Sequence, residues 1–323
     1  MDWASDTVGW PAEVSAVAGA PVRQPGLLLG VLLLATRSAD LAARLEHELP
    51  IITEAGASAS LLLGPRLAER RHAGVRHAAL AHILAVRAFH PVFQPIVDLR
   101  SREIVGYEAL TRFDSGTPPD RVFAEAWDAG LGPAFERTTL EAAAAQAIDL
   151  PPGLWLDLNV SPRLLADPGP LRDLLWGTGR PIVLEITEHD PVADYAALRA
   201  ALETLGHDVR VAVDDAGVGV ANFGHIVELR PDLVKIDISL VRRVNAHLGR
   251  QALVVGLSHF ARSAGFRLVG EGIETQAEAK TLAALGVEYG QGYLFGRPEP
   301  CHALRAAARP RSKRRAPERR LGE

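Results

Sequence analysis

The stretch Val211-Ala-Val-Asp-Asp-Ala-Gly-Val-Gly219 combines the end of a strand with two adjacent acids. Its first three residues are apolar, which is typical of a buried strand, and the glycines at 217 and 219 predict a tight turn. Neighbouring carboxylates such as Asp214 and Asp215 repel each other, which raises the free energy of ionisation. A divalent cation removes that cost, so the pair indicates a metal site. A solvated acidic turn is an equal alternative from this stretch alone.

The same rhythm recurs from Pro91 onward, where short apolar segments end in polar residues and alternate with helical patterns. Repeated βα units indicate parallel strands, and seven or eight of them favour a closed (β/α)8 barrel over an open sheet. The predicted strands are Ile104–Leu110, Leu154–Val160, Ile182–Ile186, Val209–Asp214, Leu233–Asp237, Arg267–Glu271 and Val287–Leu294. The predicted helices include Glu136–Ile148, Asp194–Leu205, Ser239–Ala264 and Gln276–Leu285.

Nearly every predicted strand carries a polar side chain at its carboxyl end. In a strand, alternate residues share a face, so Lys235 points into the barrel while Val234 and Ile236 meet the helices. A single acid at a strand end is more often a surface group, but a ring of oxygen ligands suits Mg²⁺ or Mn²⁺. No cysteine and histidine set suits zinc. The ring candidates are Glu108, Asn159, Glu185, Asp214, Asp215, Lys235, Glu271 and Gln291.

Composition is that of an ordinary folded protein. The 323 residues carry a formal net charge of −4, so no global positive field attracts a nucleic acid polymer or an anionic membrane. The single cysteine, Cys301, excludes an internal disulfide and fits a reducing compartment. The longest apolar run is too short to span a bilayer, and no signal peptide pattern is found. We therefore expect a cytoplasmic protein.

The two ends of the chain are predicted as appendages. Residues 1–58 contain a predicted buried strand at Leu27–Leu34 and a predicted helix at Ala39–Ile52, which resemble the last part of a GAF-type sensor domain. Residues 59–88 are predicted as a linker helix, which either self-associates or lies on the barrel surface. The barrel is predicted over residues 89–303, and residues 304–323 as a basic, disordered tail.

Eight motifs in one order resemble the EAL-domain family. Family members fold as a modified (β/α)8 barrel whose first strand is antiparallel, and active members hydrolyse cyclic di-GMP to the linear dinucleotide pGpG. The motifs are Gln94-Pro-Ile-Val97, Tyr107-Glu-Ala-Leu-Thr-Arg112, Leu158-Asn-Val-Ser-Pro162, Leu184-Glu-Ile-Thr-Glu188, Asp214-Asp215, Val234-Lys-Ile-Asp237, Glu271-Gly-Ile-Glu-Thr275 and Tyr289-Gly-Gln-Gly-Tyr-Leu-Phe295.

The resemblance also implies roles for individual residues. Two divalent cations, Mg²⁺ or Mn²⁺, neutralise the phosphodiester and activate water in such sites. Lys235 would contact the attacking water, Gln291 would help to bind the metal-water cluster, and Glu188 would anchor the loop after Asp215. The implied metal ligands are Glu108, Asn159, Glu185, Asp214, Asp215 and Glu271, and the implied catalytic set is Lys235, Glu108, Asp214 and Gln291. The implied nucleotide contacts are Gln94, Leu110 and Arg112.

Two departures from the family pattern concern the loop and the barrel interior. The loop Ala216–Asn222 lacks the aromatic and hydroxyl residues usual in the family, and Asp157 replaces an apolar residue, for which we expect a buried hydrogen bond. A homodimer through the barrel and the linker helix is implied. The alternative function is a catalytically silent EAL domain that binds cyclic di-GMP or a protein partner without cleaving the nucleotide.

Overall fold

The computed structural model describes residues 14–25, 27–45, 47–186, 192, 194–206, 208–216 and 221–308. Its strands are β1 Ala16–Gln24, β2 Leu27–Thr36, β3 Phe89–Asp98, β4 Ile104–Phe113, β5 Trp155–Val160, β6 Ile182–Ile186, β7 Val209–Ala216, β8 Leu233–Ile236, β9 Arg267–Gly270 and β10 Tyr289–Gln291. Its helices are α1 Ala39–Arg44, α2 Leu49–Val86, α3 Pro119–Asp128, α4 Gly132–Ala147, α5 Pro168–Trp176, α6 Tyr195–Glu203, α7 Ala221–Leu229, α8 Ile238–Val241, α9 Leu248–Ala264, α10 Gln276–Ala284 and α11 Cys301–Ala308.

Eight strands close into a barrel in the order β10-β3-β4-β5-β6-β7-β8-β9. Strand β3 pairs antiparallel with both β4 and β10, and the other neighbouring pairs are parallel. The predicted (β/α)8 barrel and its antiparallel first strand are therefore confirmed. Because the parallel strands share one direction, their carboxyl ends meet at one face, which is where such barrels carry their sites.

Alternation along each strand divides the barrel side chains into an inner and an outer set. On β8, Val234 and Ile236 belong to the core between strands and helices, whereas Lys235 faces the interior and is 1 % exposed. One layer of side chains closer to the amino ends of the strands, the barrel interior is apolar and forms a floor beneath Lys235. That lower layer consists of Ile96, Trp155, Val183, Ala212, Leu233, Val269 and Tyr289.

The described residues fall into two compact units, within Met1–His82 and within Ile83–Glu323, and the first unit differs from its prediction in two respects. Strands β1 and β2 form an antiparallel hairpin, and β2 is not buried, since Leu28 and Leu34 are about half exposed. The predicted helix Ala39–Ile52 is two helices, because α1 ends at Arg44 and α2 runs as 38 continuous residues from Leu49. The resemblance to a GAF-type domain stays a prediction.

Corrections in the second unit concern elements that carry weak local patterns. Helices α3, α5 and α7 were not predicted, and the predicted helix Ser239–Ala264 is broken into α8, a 3-10 turn at Val244–Ala246 and α9. The break falls at Arg243, which has a φ of 57°. Helix α11 extends to Ala308, so residues 304–308 are helical rather than disordered, and the rest of the predicted tail lies outside the described residues.

None of the described helices is both long enough and apolar enough to cross a bilayer.

Candidate active site

Lys235 lies at the centre of a ring of carboxylates at the carboxyl ends of the strands. Its Nζ is 2.7 Å from Glu185 Oε2, 2.8 Å from Glu271 Oε1 and 3.7 Å from Glu108 Oε1. These three acids come from β6, from the residue after β9 and from β4, so the closed barrel brings together positions that are far apart in the chain. We define these three acids with Asn159, Asp214 and Lys235 as the polar ring.

A second set of contacts fixes the orientation of Glu108. Asn159 Nδ2 donates to Glu108 Oε1 at 3.2 Å, and Gln291 Nε2 donates to Glu108 Oε2 at 2.5 Å. The same Gln291 nitrogen donates to Gln94 Oε1 at 2.9 Å, and Gln94 Nε2 donates to the carbonyl oxygen of Gly296. Both oxygens of Glu108 are thus held, and the Asn159 amide turns its nitrogen, rather than its oxygen, toward the carboxylate.

The polar ring opens into a cleft of about 810 Å³. Leu110 and Arg112 also line this cleft, as a nucleotide contact requires, and Arg112 Nη1 donates to the carbonyl oxygen of Thr111. Gln94 and Gln291 are not among the residues that line it. The predicted residues on its wall are Glu108, Leu110, Arg112, Asn159, Glu185, Asp214, Lys235 and Glu271.

Burial and the attraction between opposite charges together set the pKa values of the ring. Burial opposes the charged form of Lys235, but the attraction of Glu108, Glu185 and Glu271 outweighs it, so the pKa of the lysine is well above its usual value. Burial raises the pKa of Glu185 well above its usual value and that of Glu271 to about 8, although Lys235 opposes both shifts. One ammonium group therefore does not compensate all the acids that surround it.

The donor chemistry of the ring fits hard divalent cations. The carboxylate and amide groups of the ring offer oxygen atoms, and the buried Glu185 Oε1 and the neighbouring Gln291 Oε1 accept no hydrogen bond. No three acidic, histidine or cysteine side chains of the described part are arranged to hold an ion by themselves. Lys235 occupies the space among the carboxylates, and the predicted ligand set also counts the Asn159 amide and Asp215.

Four predicted features lie partly or wholly outside the described residues or differ from the prediction. The backbone of Asp215 belongs to β7, but its side chain lies outside the described part, as does all of Glu188. Residues 217–220 of the altered loop also lie outside it. Asp157 is buried, yet the hydrogen bond expected for it is not found at Oδ1, which lacks a partner. Burial raises the pKa of Asp157 to about 7.

Sequence reasoning missed one wall of the cleft, which comes from α3, α4 and the end of β5. Glu136 is buried there, and it accepts hydrogen bonds from Trp127 Nε1 at 2.7 Å and from the Ser161 backbone at 3.1 Å. The guanidinium of Arg163 lies 5.0 Å from the centre of the Trp127 ring. Trp127 and Glu136 lie within helices rather than at strand ends, so the strand-end pattern gave no signal for them.

Similarity to known proteins covers the barrel. The EAL domain family matches residues 77–298. The chain is 30 % identical over 228 residues to the probable cyclic di-GMP phosphodiesterase PdeD of Escherichia coli, a match that covers 67 % of this chain and 43 % of PdeD. It is 28 % identical over 244 residues to the cyclic di-GMP phosphodiesterase PdeL of the same organism, covering 71 % and 67 %.

A solved structure shares the fold. The manganese and cyclic di-GMP complex of BlrP1 from Klebsiella pneumoniae superposes with a TM-score of 0.58 at 29 % identity, covering 66 % of this chain and 56 % of BlrP1. The chain thus spans less than half of PdeD and just over half of BlrP1. With a matched segment that spans the whole barrel and the ordered strand-end motifs within it, the chain belongs to the EAL domain family.

Proposed function

We propose that this chain is a metal-dependent phosphodiesterase that hydrolyses cyclic di-GMP to the linear dinucleotide pGpG. The observation that carries the proposal is the polar ring, in which acids from β4, from β6 and from the end of β9 converge on Lys235 at the floor of a cleft. Further support comes from PdeD and PdeL, whose names give this activity, and from BlrP1, which was solved with manganese and cyclic di-GMP.

The proposed cofactors are two divalent cations, Mg²⁺ or Mn²⁺. Glu108, Asn159, Glu185, Asp214 and Glu271 would hold them, and Asp215 would serve the second cation. Bound cations neutralise the oxygens of the reacting phosphate and lower the pKa of a bound water. The unpartnered Glu185 Oε1 supports this assignment, because a buried oxygen without a hydrogen-bond partner is costly unless a ligand satisfies it.

Lys235 presents a buried ammonium group to the floor of the cleft, where it would orient the attacking water and stabilise negative charge on the reacting phosphate. A charge held in a site that excludes water stabilises the transition state more than the same charge in bulk water. The reasons are that water screens the charge poorly there and that the site does not reorganise during the reaction. Gln291 acts through Glu108, whose carboxylate it holds by a hydrogen bond. Gln291 is therefore proposed to position a ligand besides contributing to the metal-water cluster.

Substrate contacts are proposed on the wall that Leu110 and Arg112 share. The guanidinium of Arg112 would bind a phosphate of the dinucleotide, because a planar donor fork matches phosphate oxygens. Gln94 was predicted as a third contact, but its amide is engaged by Gln291 and by Gly296. We propose that it supports the site through Gln291.

Incubation of the purified chain with cyclic di-GMP and either Mg²⁺ or Mn²⁺, followed by chromatography, tests the proposal directly. We expect pGpG to accumulate with each metal and its formation to stop when a chelator is added. Tight binding of cyclic di-GMP without any product would instead identify a silent receptor. Absence of both binding and product would refute the proposed substrate.

A homodimer is proposed through the barrel and the linker helix. Support comes from apolar side chains that are exposed on these two elements, including Leu61 and Leu62 on α2 and Val227 on α7. A contiguous exposed apolar patch is typical of an association surface. Size-exclusion chromatography with light scattering tests this point, and a monomer at micromolar concentration would contradict it. The cytoplasmic location stays a prediction.

A further inference from the structure

Lys235 makes the contacts that a bound cation would make. Its Nζ lies within 3 Å of one carboxylate oxygen of Glu185 and one of Glu271, and both residues are proposed metal ligands. We infer that Lys235 is the internal counter-ion of the metal-free polar ring, and that divalent cations compete with its ammonium group for these carboxylates. The inference rests on the metal assignment of the proposed function.

The charges around Lys235 explain why a counter-ion is needed. Glu108, Glu185 and Asp157 are buried, and Glu271 and Asp214 are partly buried beside them. Removing carboxylates from water is costly unless opposite charges or hydrogen bonds compensate them. Lys235 forms ion pairs with three of these acids, so the described part of the ring depends on it when no metal is bound.

Competition follows from the geometry of the two short contacts. A cation that binds Glu185 and Glu271 must share their oxygens with an ammonium group already at hydrogen-bond distance. Two positive charges a few ångströms apart repel strongly in a buried site, where water screens them poorly. Lys235 therefore stabilises the metal-free fold and at the same time weakens cation binding.

Two opposite effects are expected when the lysine is replaced by an uncharged residue of similar length. The metal-free Lys235→Met protein should melt about 10 °C below the wild type, because the carboxylate charge that remains beside the ammonium group loses its buried partner. Its affinity for Mn²⁺ should rise by at least about tenfold, since the repulsion is removed. A merely structural lysine would not give the second effect.

The experiment uses the full chain after treatment with a chelator and no nucleotide. Thermal unfolding is followed by circular dichroism without metal and with saturating Mn²⁺, and Mn²⁺ binding is measured by calorimetry at one fixed pH. Lys280→Met is the matched control, because Lys280 is exposed on α10. The control should match the wild type in both measurements, and saturating Mn²⁺ should close most of the gap in Tm for Lys235→Met.

Each possible result either supports the inference or overturns it. An unchanged metal-free Tm, or Mn²⁺ binding that is unchanged or weaker, would overturn it. If Lys235→Met fails to fold without metal, the double variant Lys235→Met with Glu185→Gln decides, because removal of one carboxylate should restore folding if charge is the cause. A double variant that also fails to fold would overturn the inference. A wild type that binds Mn²⁺ but does not cleave cyclic di-GMP would refute only the proposed function.

Discussion

Gln291 and Glu108 lie 183 positions apart in the chain, yet Gln291 Nε2 donates a hydrogen bond to Glu108 Oε2. The other Glu108 oxygen accepts a hydrogen bond from Asn159 and faces Lys235 at 3.7 Å. Glu108 is therefore held from both sides before any ligand arrives. Preorganisation of this kind reduces the reorganisation that binding and catalysis would otherwise require.

Replacement of Gln291 tests this positioning role. Gln291→Ala removes the donor to Glu108 Oε2, so we expect turnover to fall about tenfold or more and the half-saturating Mn²⁺ concentration to rise. Initial rates across a metal titration measure both quantities. Gln276→Ala is the control, because Gln276 is exposed and bonds only Arg102 in the described contacts. Unchanged metal dependence in Gln291→Ala would show that Glu108 holds its orientation without this bond.

Glu108 itself tests the metal assignment. Glu108→Gln preserves the shape of the side chain but removes a charge, so we expect turnover to fall by at least about a hundredfold. Glu103→Gln, at an exposed position just before the same strand, should retain wild-type turnover. Product formation by chromatography measures the difference. A variant at position 108 with wild-type turnover would exclude this carboxylate as a ligand.

Gly292 tests how the backbone presents Gln291. Its φ of 152° suits glycine, and a Cβ at this position would lie 2.2 Å from the backbone oxygen of Ile273. We expect Gly292→Ala to destabilise the protein by about 2–4 kcal/mol and to lower turnover, because the clash displaces the neighbouring amide. Gly256→Ala lies in a helix with open space and should stabilise slightly, as chemical denaturation will show. Equal stability of the two variants would contradict the steric argument.

Local sequence patterns predicted those structural features that depend only on residues close together in the chain. Alternation along β8 predicted that Lys235 points inward, and the segment ends predicted most strands. The contact between Gln94 and Gln291 depends on barrel closure between the first and last strands, so no local pattern predicts it. Strand β2 was predicted as buried because it is apolar, but its exposure depends on which elements cover it. The pattern of apolar residues within β2 carries no information about which other elements pack on this strand.

Arg112 tests the proposed phosphate contact. Arg112→Ala should raise KM for cyclic di-GMP about tenfold with a smaller change in kcat, because the guanidinium is proposed to bind substrate rather than to act on the reacting atoms. Arg121→Ala provides the control, since Arg121 is exposed and pairs with Glu125 on α3. Steady-state kinetics with each metal measure both constants. A fall in kcat with unchanged KM would assign Arg112 to the chemical step instead.

The excess of buried acids predicts an unusual pH dependence of stability in the metal-free protein. Burial raises the pKa of Glu271 from 4.5 to about 8 and that of Asp157 from 3.8 to about 7. The folded protein therefore holds protons that the unfolded chain releases, and this contribution to stability is complete below the unfolded values and is lost as the pH rises through about 7 to 8. Melting curves in a chelator should thus show Tm falling between about pH 5.5 and 8.5.

Saturating Mg²⁺ should flatten this fall in Tm, because cations stabilise the ionised carboxylates that the metal-free ring disfavours. The variant Glu271→Gln should also reduce the slope without metal, since it removes one of the groups that take up a proton on folding. The matched variant Glu203→Gln, at an exposed position near the end of α6, should leave the slope unchanged. A metal-free Tm that stays constant or rises across this range would mean that the ring acids are ionised in the folded protein, and that Lys235 and its surroundings compensate them fully.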